Sequence, residues 1–458
     1  MFKKFFTYPV FLVLFLSFIG AMGFGAIVKC NYVGNCDGNK MYKLLQKPVM
    51  FIASVPVNIR KMIKFRTINL DKPPKLTKHK DKKRFEQFIP NKRNALLVLP
   101  RYDHSLSRSV VDIVDLNNFE VIHTYKHDIA EMNDQVTNTK EFPRIKIDNS
   151  PIRFLYRHPL LLNDGSLISD SDYSIEFKID FCSNLKWIND QRIFHHSKML
   201  DHEGNIWVGG QMNPKSKYVK KYQPVGLRDD FMDDSIVKIN TDGKILYEKS
   251  VTEILIENKI VPEKNFILNS IKHNIEDPVH LNDIEPALSD TKYWKKGDVF
   301  INNLHFSAIM HYRPSTNELI NYISGPFTSQ HDVDIISDKE ISIFNNNNFV
   351  IENQYSEVVI YNFETKKFRT LFNDQLKKNN FKTAAGGLSH IFNDGALMVD
   401  EQYHGRILLF NNEGEKEWEF VNVDKNGDIG YIFWSRVIED ARFIKQFKSL
   451  VENKKCTN

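Results

Sequence analysis

The chain has 458 residues, 42% of them hydrophobic and 12% aromatic, enough to bury a large core in one repeat domain or in two to three ordinary ones. Its formal net charge of +5 divides unevenly: residues 1–59 carry +5, residues 60–93 carry +10 and residues 94–458 carry −10. An acidic globular part with no recurring basic face argues against nucleic acid as a partner, and a basic block beside an apolar segment reads first as a contact with anionic headgroups.

The first element is the N-terminal anchor, residues 1–30. Tyr8 to Val28 contains no charged residue, and its length suits a membrane-spanning helix. A cleaved signal peptide is the rival, but the stretch is long for one and Gly20-Ala-Met-Gly-Phe-Gly-Ala offers no clean cleavage site. Lys3 and Lys4 on the cytoplasmic side place the rest of the chain outside; Lys29, Lys40 and Lys43 on the other flank oppose that orientation. Cys30 and Cys36 form either a small disulfide loop or two unpaired thiols. Residues 31–93 are a basic juxtamembrane or linker region, with an apolar run from Pro48 to Val57 too short to span a bilayer and a solvated stretch from 67 to 92.

From Asn94 the texture becomes short strands and polar turns. Ala95 to Pro100 and Val110 to Leu116 read as strands around the turn Asn117-Asn118. A strand–turn–strand cycle then recurs from Pro159, Asp201, Gly297, Ser337 and Phe392. With the first strand pair this gives about six cycles over residues 94–440. The predicted fold is therefore all-β: a six-bladed β-propeller with an N-terminal transmembrane helix and a short C-terminal helix. The segment Arg436 to Val451 has the pattern of that terminal helix, with residues 441–458 as helix and tail.

Three histidines, His196, His280 and His331, open segments of one shape: alternating apolar residues, a turn, then a β-branched or aromatic strand. Equivalent positions of different blades converge on the propeller axis, so the three should meet there. Imidazole can be a nucleophile, a base or a metal ligand. No metal cluster and no glycine-rich phosphate loop accompanies them. Asp332 and Asp334 either orient His331 or cap a turn. Asn345 to Asn348 reads as a loop, with a sulfate-binding role as the lesser alternative, and Trp207, Trp418 and Trp434 read as packing between blades.

Phe194-His-His-Ser, Asp277-Pro-Val-His-Leu-Asn-Asp and Gln330-His-Asp with Ile343-Phe-Asn-Asn, in that order, together with the closing stretch from Gly386 to Phe420, resemble the bacterial arylsulfotransferase family over roughly residues 150–440. The resemblance implies a six-bladed propeller that passes a sulfuryl group from a phenolic sulfate ester to a phenol through a histidine, without a nucleotide or other cofactor. His331 matches the sulfuryl-accepting histidine. His280 and Asn282 match a His-x-Asn pair that binds and polarises the sulfate. His196, or His195 beside it, matches the remaining channel histidine.

The family places an arginine on the strand after the His-x-Asn blade, where this chain has Leu304. Arg192, Arg406 and Arg436 are the arginines that could replace it, and Arg406 is the one assigned here to substrate binding. The implied location is the inner membrane, with the propeller facing the periplasm. The implied partners are the aryl sulfate donor, the phenol acceptor, the membrane through the N-terminal helix, and a second copy in a homodimer. The alternative reading is a non-catalytic propeller that binds a small anion, a glycan or a protein in its channel; Leu304 favours it.

Overall fold

The structure, a computed structural model, describes residues 2–33, 40–68, 73–90, 93–143, 145–146, 150–171, 173–222, 231–272, 275–348 and 355–456. It divides into two compact units: Met1–Ile68 with Lys264–Glu276, and Asn69–Glu263 with Asp277–Asn458.

In the first unit, α1 (Phe2–Val33) and α2 (Lys40–Ile68) are long helices. Within α1, the 23 residues Tyr8–Cys30 have a mean hydropathy of 2.4. They are long and apolar enough to cross a membrane, and a signal sequence would have the same character. The choice between a Cys30–Cys36 loop and two thiols falls outside the described residues, because Cys36 lies there.

The second unit is built of antiparallel sheets. β1 (Phe85–Gln87) is a short edge strand, and β2 (Leu96–Asp103), β3 (Arg108–Asp115) and β4 (Glu120–Tyr125) form a meander. After α3 (Ile129–Gln135) come β5 (Arg157–Leu161), β6 (Leu167–Asp170), β7 (Ser174–Ile179), the 16-residue β8 (Leu185–Leu200), β9 (Ile206–Gln211), α4 (Lys217–Tyr222), β10 (Asp234–Ile239) and β11 (Ile245–Ser250). The strands β5 to β11 form one seven-stranded sheet. The helix α5 (Val251–Glu257) follows; the next helix in the chain, α6 (Glu263–Lys272), belongs to the first unit from Lys264 on.

The next sheets are β12 (Leu281–Pro286), β13 (Val299–Asn303), β14 (Ala308–Arg313) and β15 (Glu318–Ser324), then β16 (Asp332–Ile335), β17 (Glu340–Asn345), β18 (Glu357–Asn362) and β19 (Lys367–Leu371). After α7 (Asn373–Lys378), the strands β20 (Ser389–Ile391), β21 (Leu397–Glu401), β22 (Arg406–Phe410) and β23 (Lys416–Val421) take β1 as a fifth member, Phe85 opposite Phe420. Finally β24 (Arg436–Ile438) returns to pair with β2, and α8 (Ala441–Asn453) ends the fold.

Turn chemistry explains the recurrence. Gly165, Gly204, Gly243, Gly395 and Gly414 all sit at positive φ in the turns joining β5–β6, β8–β9, β10–β11, β20–β21 and β22–β23. That backbone is open to glycine at no steric cost. Consecutive sheets are cemented by shared apolar clusters. Leu160, Ile168 and Phe194 meet Val208, Val237 and Ile239 inside the seven-stranded sheet. Phe300 and Ile309 meet Ile343 and Val359, and Phe344 and Val358 meet Leu397 and Leu408. Leu97 and Val114 of the first meander pack with Trp418 and Phe420 of the last. Burial of these faces is the main favourable term. The result is an all-β, propeller-like arrangement of five sheets among the described residues.

Three features differ from the sequence reading. Arg436 begins a strand, not the terminal helix: β24 completes the sheet of β2, and α8 starts only after Asp440, whose carboxylate caps the backbone N–H groups of Arg442 and Phe443. The stretch 73–90 is not a solvated linker. Lys75 pairs with Asp428 at 2.6 Å, Lys78 with Glu401, Lys82 with Glu419 at 3.4 Å and Arg84 with Asp112 at 2.9 Å, so much of the basic block answers the acidity of the sheets it crosses. Cys182 and Cys456 form a disulfide, 5.3 Å between Cα atoms, that ties the tail after α8 to the turn between β7 and β8.

Candidate active site: a histidine cluster where strand pairing slips

The innermost strands begin irregularly, and the irregularity makes the site. In β5, pairing with β6 slips between Arg157 and Leu160. In β8, pairing with β9 slips between His195 and Lys198. In β12, pairing with β13 slips between Leu281 and Asp283. Each slip inserts residues that the partner strand does not match and re-aims their side chains. His158 and His196 lie within their slips and His280 stands one residue ahead of β12; all three are left-handed, with φ of 39°, 64° and 54°, and Trp434 ahead of β24 has a φ of 49°. A left-handed non-glycine residue costs of order 1 kcal/mol or more, and such strain collects at functional sites.

The four left-handed residues turn their rings toward one another. His158 lies 5.5 Å from Trp434, Trp434 5.9 Å from His196, and His196 5.6 Å from His280. His331, just ahead of β16, completes the cluster at 6.4 Å from both His196 and Trp434. The three histidines predicted from the sequence are therefore brought together.

The hydrogen bonds fix how each ring presents itself. Nδ1 of His331 faces two oxygens, Oδ1 of Asn346 at 2.6 Å and the Ser329 carbonyl at 3.0 Å. Asn346 is itself oriented, because its Nδ2 donates to the carbonyls of Thr383 and Gly386. Nδ1 must then carry the proton, which leaves Nε2 with its lone pair. Burial, opposed by those two hydrogen bonds, lowers the His331 pKa to about 4, so the ring is neutral at pH 7. His196 and His158 are pushed well below the usual imidazole range, chiefly by burial and then by neighbouring positive groups.

His280 is more open, and its Nδ1 lies 2.6 Å from the Asp277 carboxylate, which also accepts the His280 backbone N–H. Burial alone would raise the Asp277 carboxyl, but the His280 bond and charge hold it below the usual range. Nδ1 of His195 and Nδ1 of His196 are 2.8 Å apart, and Nε2 of His195 lies 3.6 Å from Asp234.

The other predicted residues take different roles. Asn282 is fully buried and donates to the carbonyl of Gln330, so it braces the residue ahead of His331. The Asp332 carboxylate accepts the Ser389 N–H and so links the innermost strands β16 and β20, as Asp283 links β12 and β16 by accepting from Val333; Asp400 of β21 accepts from Ser435 ahead of β24. Leu304 is not on a strand. It opens a 3-10 turn, Leu304–Phe306, its N–H bonded to the His280 carbonyl, and this turn places His305 5.2 Å from His280.

Arg192 is engaged by Glu248, and Arg406 by Glu401 at 2.6 Å, both among partners outside the histidine cluster. Arg436 donates to the Lys198 carbonyl at 2.6 Å beside Asp283, Glu285, Asp332 and Asp334. Burial raises all four of those carboxyls, Asp283 to about 6 and Asp334 to about 7. Among the described residues, no group of His, Cys, Asp and Glu is arranged to hold a metal ion.

Sequence reasoning missed His158, Asp277 as a partner of His280, Asn346 and Trp434. The signal for His158 is present in the sequence: it stands immediately ahead of Pro159, the first residue of the recurring strand–turn–strand cycle.

A family model described as arylsulfotransferase (ASST) matches residues 165–423. No curated protein matches. Similar solved structures include a protein of unknown function from Bacteroides caccae (11% identity, TM-score 0.46, covering 76% of this chain and all of that one). TolB from Acinetobacter baumannii is similar at 9% identity and TM-score 0.43, covering 76% and 68% of the two chains. A streptogramin B lyase is similar at 14% identity and TM-score 0.34, covering 57% and 67%. None of these three bears on the chemistry of the cluster.

Proposed function

Given that this chain belongs to the arylsulfotransferase family, we propose that it transfers a sulfuryl group from a phenolic sulfate ester to a phenolic acceptor, with His331 as the covalent carrier. The observation that carries the reading is the His331 ring, buried and neutral, its Nδ1 proton held by Asn346 and Ser329 and its Nε2 lone pair left for attack.

In the first half-reaction Nε2 of His331 bonds to sulfur and the bond from sulfur to the aryl oxygen breaks. The departing phenolate takes a proton from His280, whose Nδ1 is held by the Asp277 carboxylate. In the second half-reaction His280 takes the proton of the incoming phenol, the new phenolate attacks sulfur, the N–S bond breaks and His331 is regenerated. The imidazoles of the cluster, preorganised around the sulfuryl group, stabilise the transition state.

Six blades fit this reading. The N-terminal part of β8 pairs with β7 and its C-terminal part with β9, so one long strand serves as the outer strand of one blade and the inner strand of the next. On that division the left-handed residues His158, His196, His280, Ser329, Gly387 and Trp434 would stand one at the head of each blade. An uncleaved α1 would anchor the protein in the inner membrane, and the disulfide Cys182–Cys456 is what an oxidising compartment such as the periplasm permits.

The test is release of a chromogenic phenol from its sulfate by the full chain, with a panel of phenol acceptors, alongside His331→Ala. Release that depends on acceptor and is lost in the variant is expected. A folded protein without release across the panel would favour the non-catalytic channel-binding propeller, the reading to which Leu304 points.

A further inference from the structure

We propose that His305 carries protons between His280 and solvent, and so lets the site use sulfate donors whose phenolate leaves without a proton. The role rests on the sulfuryl-transfer reading, whereas the contacts behind it are those of the fold.

The turn after β13 brings His305 to the site. Leu304–Phe306 is a 3-10 turn closed by Ser307, a left-handed residue whose N–H returns to the Leu304 carbonyl. Three further bonds lay this turn along the segment that ends in His280. The Leu304 N–H donates to the His280 carbonyl at 3.0 Å, the His305 N–H to the Val279 carbonyl at 3.3 Å, and Nδ1 of His305 to the Asp277 carbonyl at 2.7 Å. The His305 ring is thereby fixed 5.2 Å from the His280 ring, with the two planes inclined at 43°.

One aspartate sets both rings. The Asp277 carboxylate holds Nδ1 of His280 at 2.6 Å, and the Asp277 carbonyl holds Nδ1 of His305. A carbonyl oxygen only accepts, so Nδ1 of His305 carries a proton and Nε2 is the atom that gains and loses one. The carboxylate fixes the same assignment on His280. Exposure falls from ring to ring going inward: His305 is exposed, the His280 side chain is 25% exposed, and His196 and His331 are 5% and 4% exposed. Centroid separations of 5.2, 5.6 and 6.4 Å join the four in that order.

The proton balance of the reaction shows where such a route is needed. With phenyl sulfate as donor, the leaving phenolate takes a proton and the acceptor phenol gives one back, so His280 recovers its starting state without solvent. Nitrophenolate, by contrast, leaves unprotonated. The sum is then 4-nitrophenyl sulfate plus phenol giving nitrophenolate, the new aryl sulfate and one proton. His280 still holds its proton when the acceptor arrives. It can act as base only after Nε2 has passed that proton to Nε2 of His305, directly or through one water. His305 releases it to solvent, and both rings return to the neutral form, each protonated at Nδ1.

The experiment compares the full chain with His305→Asn and His305→Ala. Asparagine keeps a donor for the Asp277 carbonyl but does not titrate, and alanine removes both functions. Formation of the sulfated acceptor from 4-nitrophenyl sulfate should slow by at least about fivefold in both variants, with a larger solvent deuterium isotope effect, and added imidazole buffer should restore it. With phenyl sulfate the loss should be several times smaller, the reverse of the donor order expected for Asp277→Asn. A merely structural role would slow both donors alike, in His305→Ala alone, and would not answer to buffer. Parent rates on 4-nitrophenyl sulfate, or a loss that added buffer leaves in place, would overturn the relay.

Exchange of the His280 Nε2 proton with water, followed by NMR on histidine-labelled protein, reads the relay without any transfer. It should slow by at least about fivefold in His305→Asn, and an unchanged exchange rate would overturn the relay. The two ideas fail separately. A parent that sulfates no phenol yet shows this slowing keeps the relay and sinks the transferase reading. A parent that transfers, with His305→Asn indistinguishable from it in both readouts, does the reverse.

Discussion

Nδ1 of His331 and Oδ1 of Asn346 lie 2.6 Å apart, and the Asn346 amide is in turn anchored on the carbonyls of Thr383 and Gly386. This pairing chooses the tautomer of the ring and fixes its orientation, as a carboxamide or carboxylate does for a metal-bound or catalytic histidine. Asn346→Ala should therefore reduce kcat by about 10- to 100-fold with a smaller change in KM. Steady-state kinetics on the folded variant checks this, and an equal loss in kcat and gain in KM would point to general disruption of the channel.

The pH profile follows from the same ring. Burial lowers the His331 pKa to about 4 against the raising effect of its two hydrogen bonds, so its lone pair survives down to that pH. Formation of the sulfuryl-enzyme should stay level as pH drops through 6.5 and decline only as pH approaches about 4. Protonation of a neutral buried histidine also disfavours the folded state, so stability should fall in the same direction between those values. A single-turnover rate with an acid limb near 6.5 would show that the ring is exposed in solution.

Asp277 and His280 form the pair assigned to proton transfer. Asp277→Asn should harm poor leaving groups most. The loss with phenyl sulfate should reach about 100-fold or more, whereas 4-nitrophenyl sulfate, whose phenolate needs little protonation, should lose under about tenfold. Comparing the two donors in one variant gives the answer directly. Equal losses would move the proton to another group.

The disulfide Cys182–Cys456 closes a span of 274 residues and holds the tail beyond α8, whose Ile444 and Phe447 enter the apolar cluster with Phe177 and Phe181. Cys456→Ser should lower stability by about 2–4 kcal/mol, read as a drop in thermal midpoint relative to the parent under non-reducing conditions. The bridge joins the turn between β7 and β8 to the tail after α8, away from the strand starts that carry the histidines, so activity below the new midpoint should be unchanged.

The sequence made the repeat, the turn glycines and the three channel histidines readable because each obeys a local rule: period-two strands, Asp-Gly turns, and one polar residue at the same phase of several cycles. What it hid depends on contacts between distant segments. Asn346 sits in a run of four asparagines that looks like any solvated loop, and only the fold shows it against His331. Trp434 reads as blade packing, yet a left-handed backbone turns it onto His158, His196 and His331. The slips in β5, β8 and β12 are decided by pairing, not by any residue pattern. The basic stretch 73–90 lacks a core of its own, as its composition indicates, but the carboxylates that order it lie more than 300 residues away in Glu401, Glu419 and Asp428. Arg436 looked helical because it continues an amphipathic pattern, and strand pairing with Val98 overrides that preference.

The central claim is the covalent carrier. Mixing the full chain with 4-nitrophenyl sulfate and no acceptor, then digesting and mapping peptides by mass spectrometry, tests it most directly. The account predicts a burst of about one nitrophenolate per chain and a sulfuryl group on the peptide bearing His331, removed when a phenol is added. A folded, turnover-competent protein with no burst, or with the sulfuryl group on another residue, would contradict it.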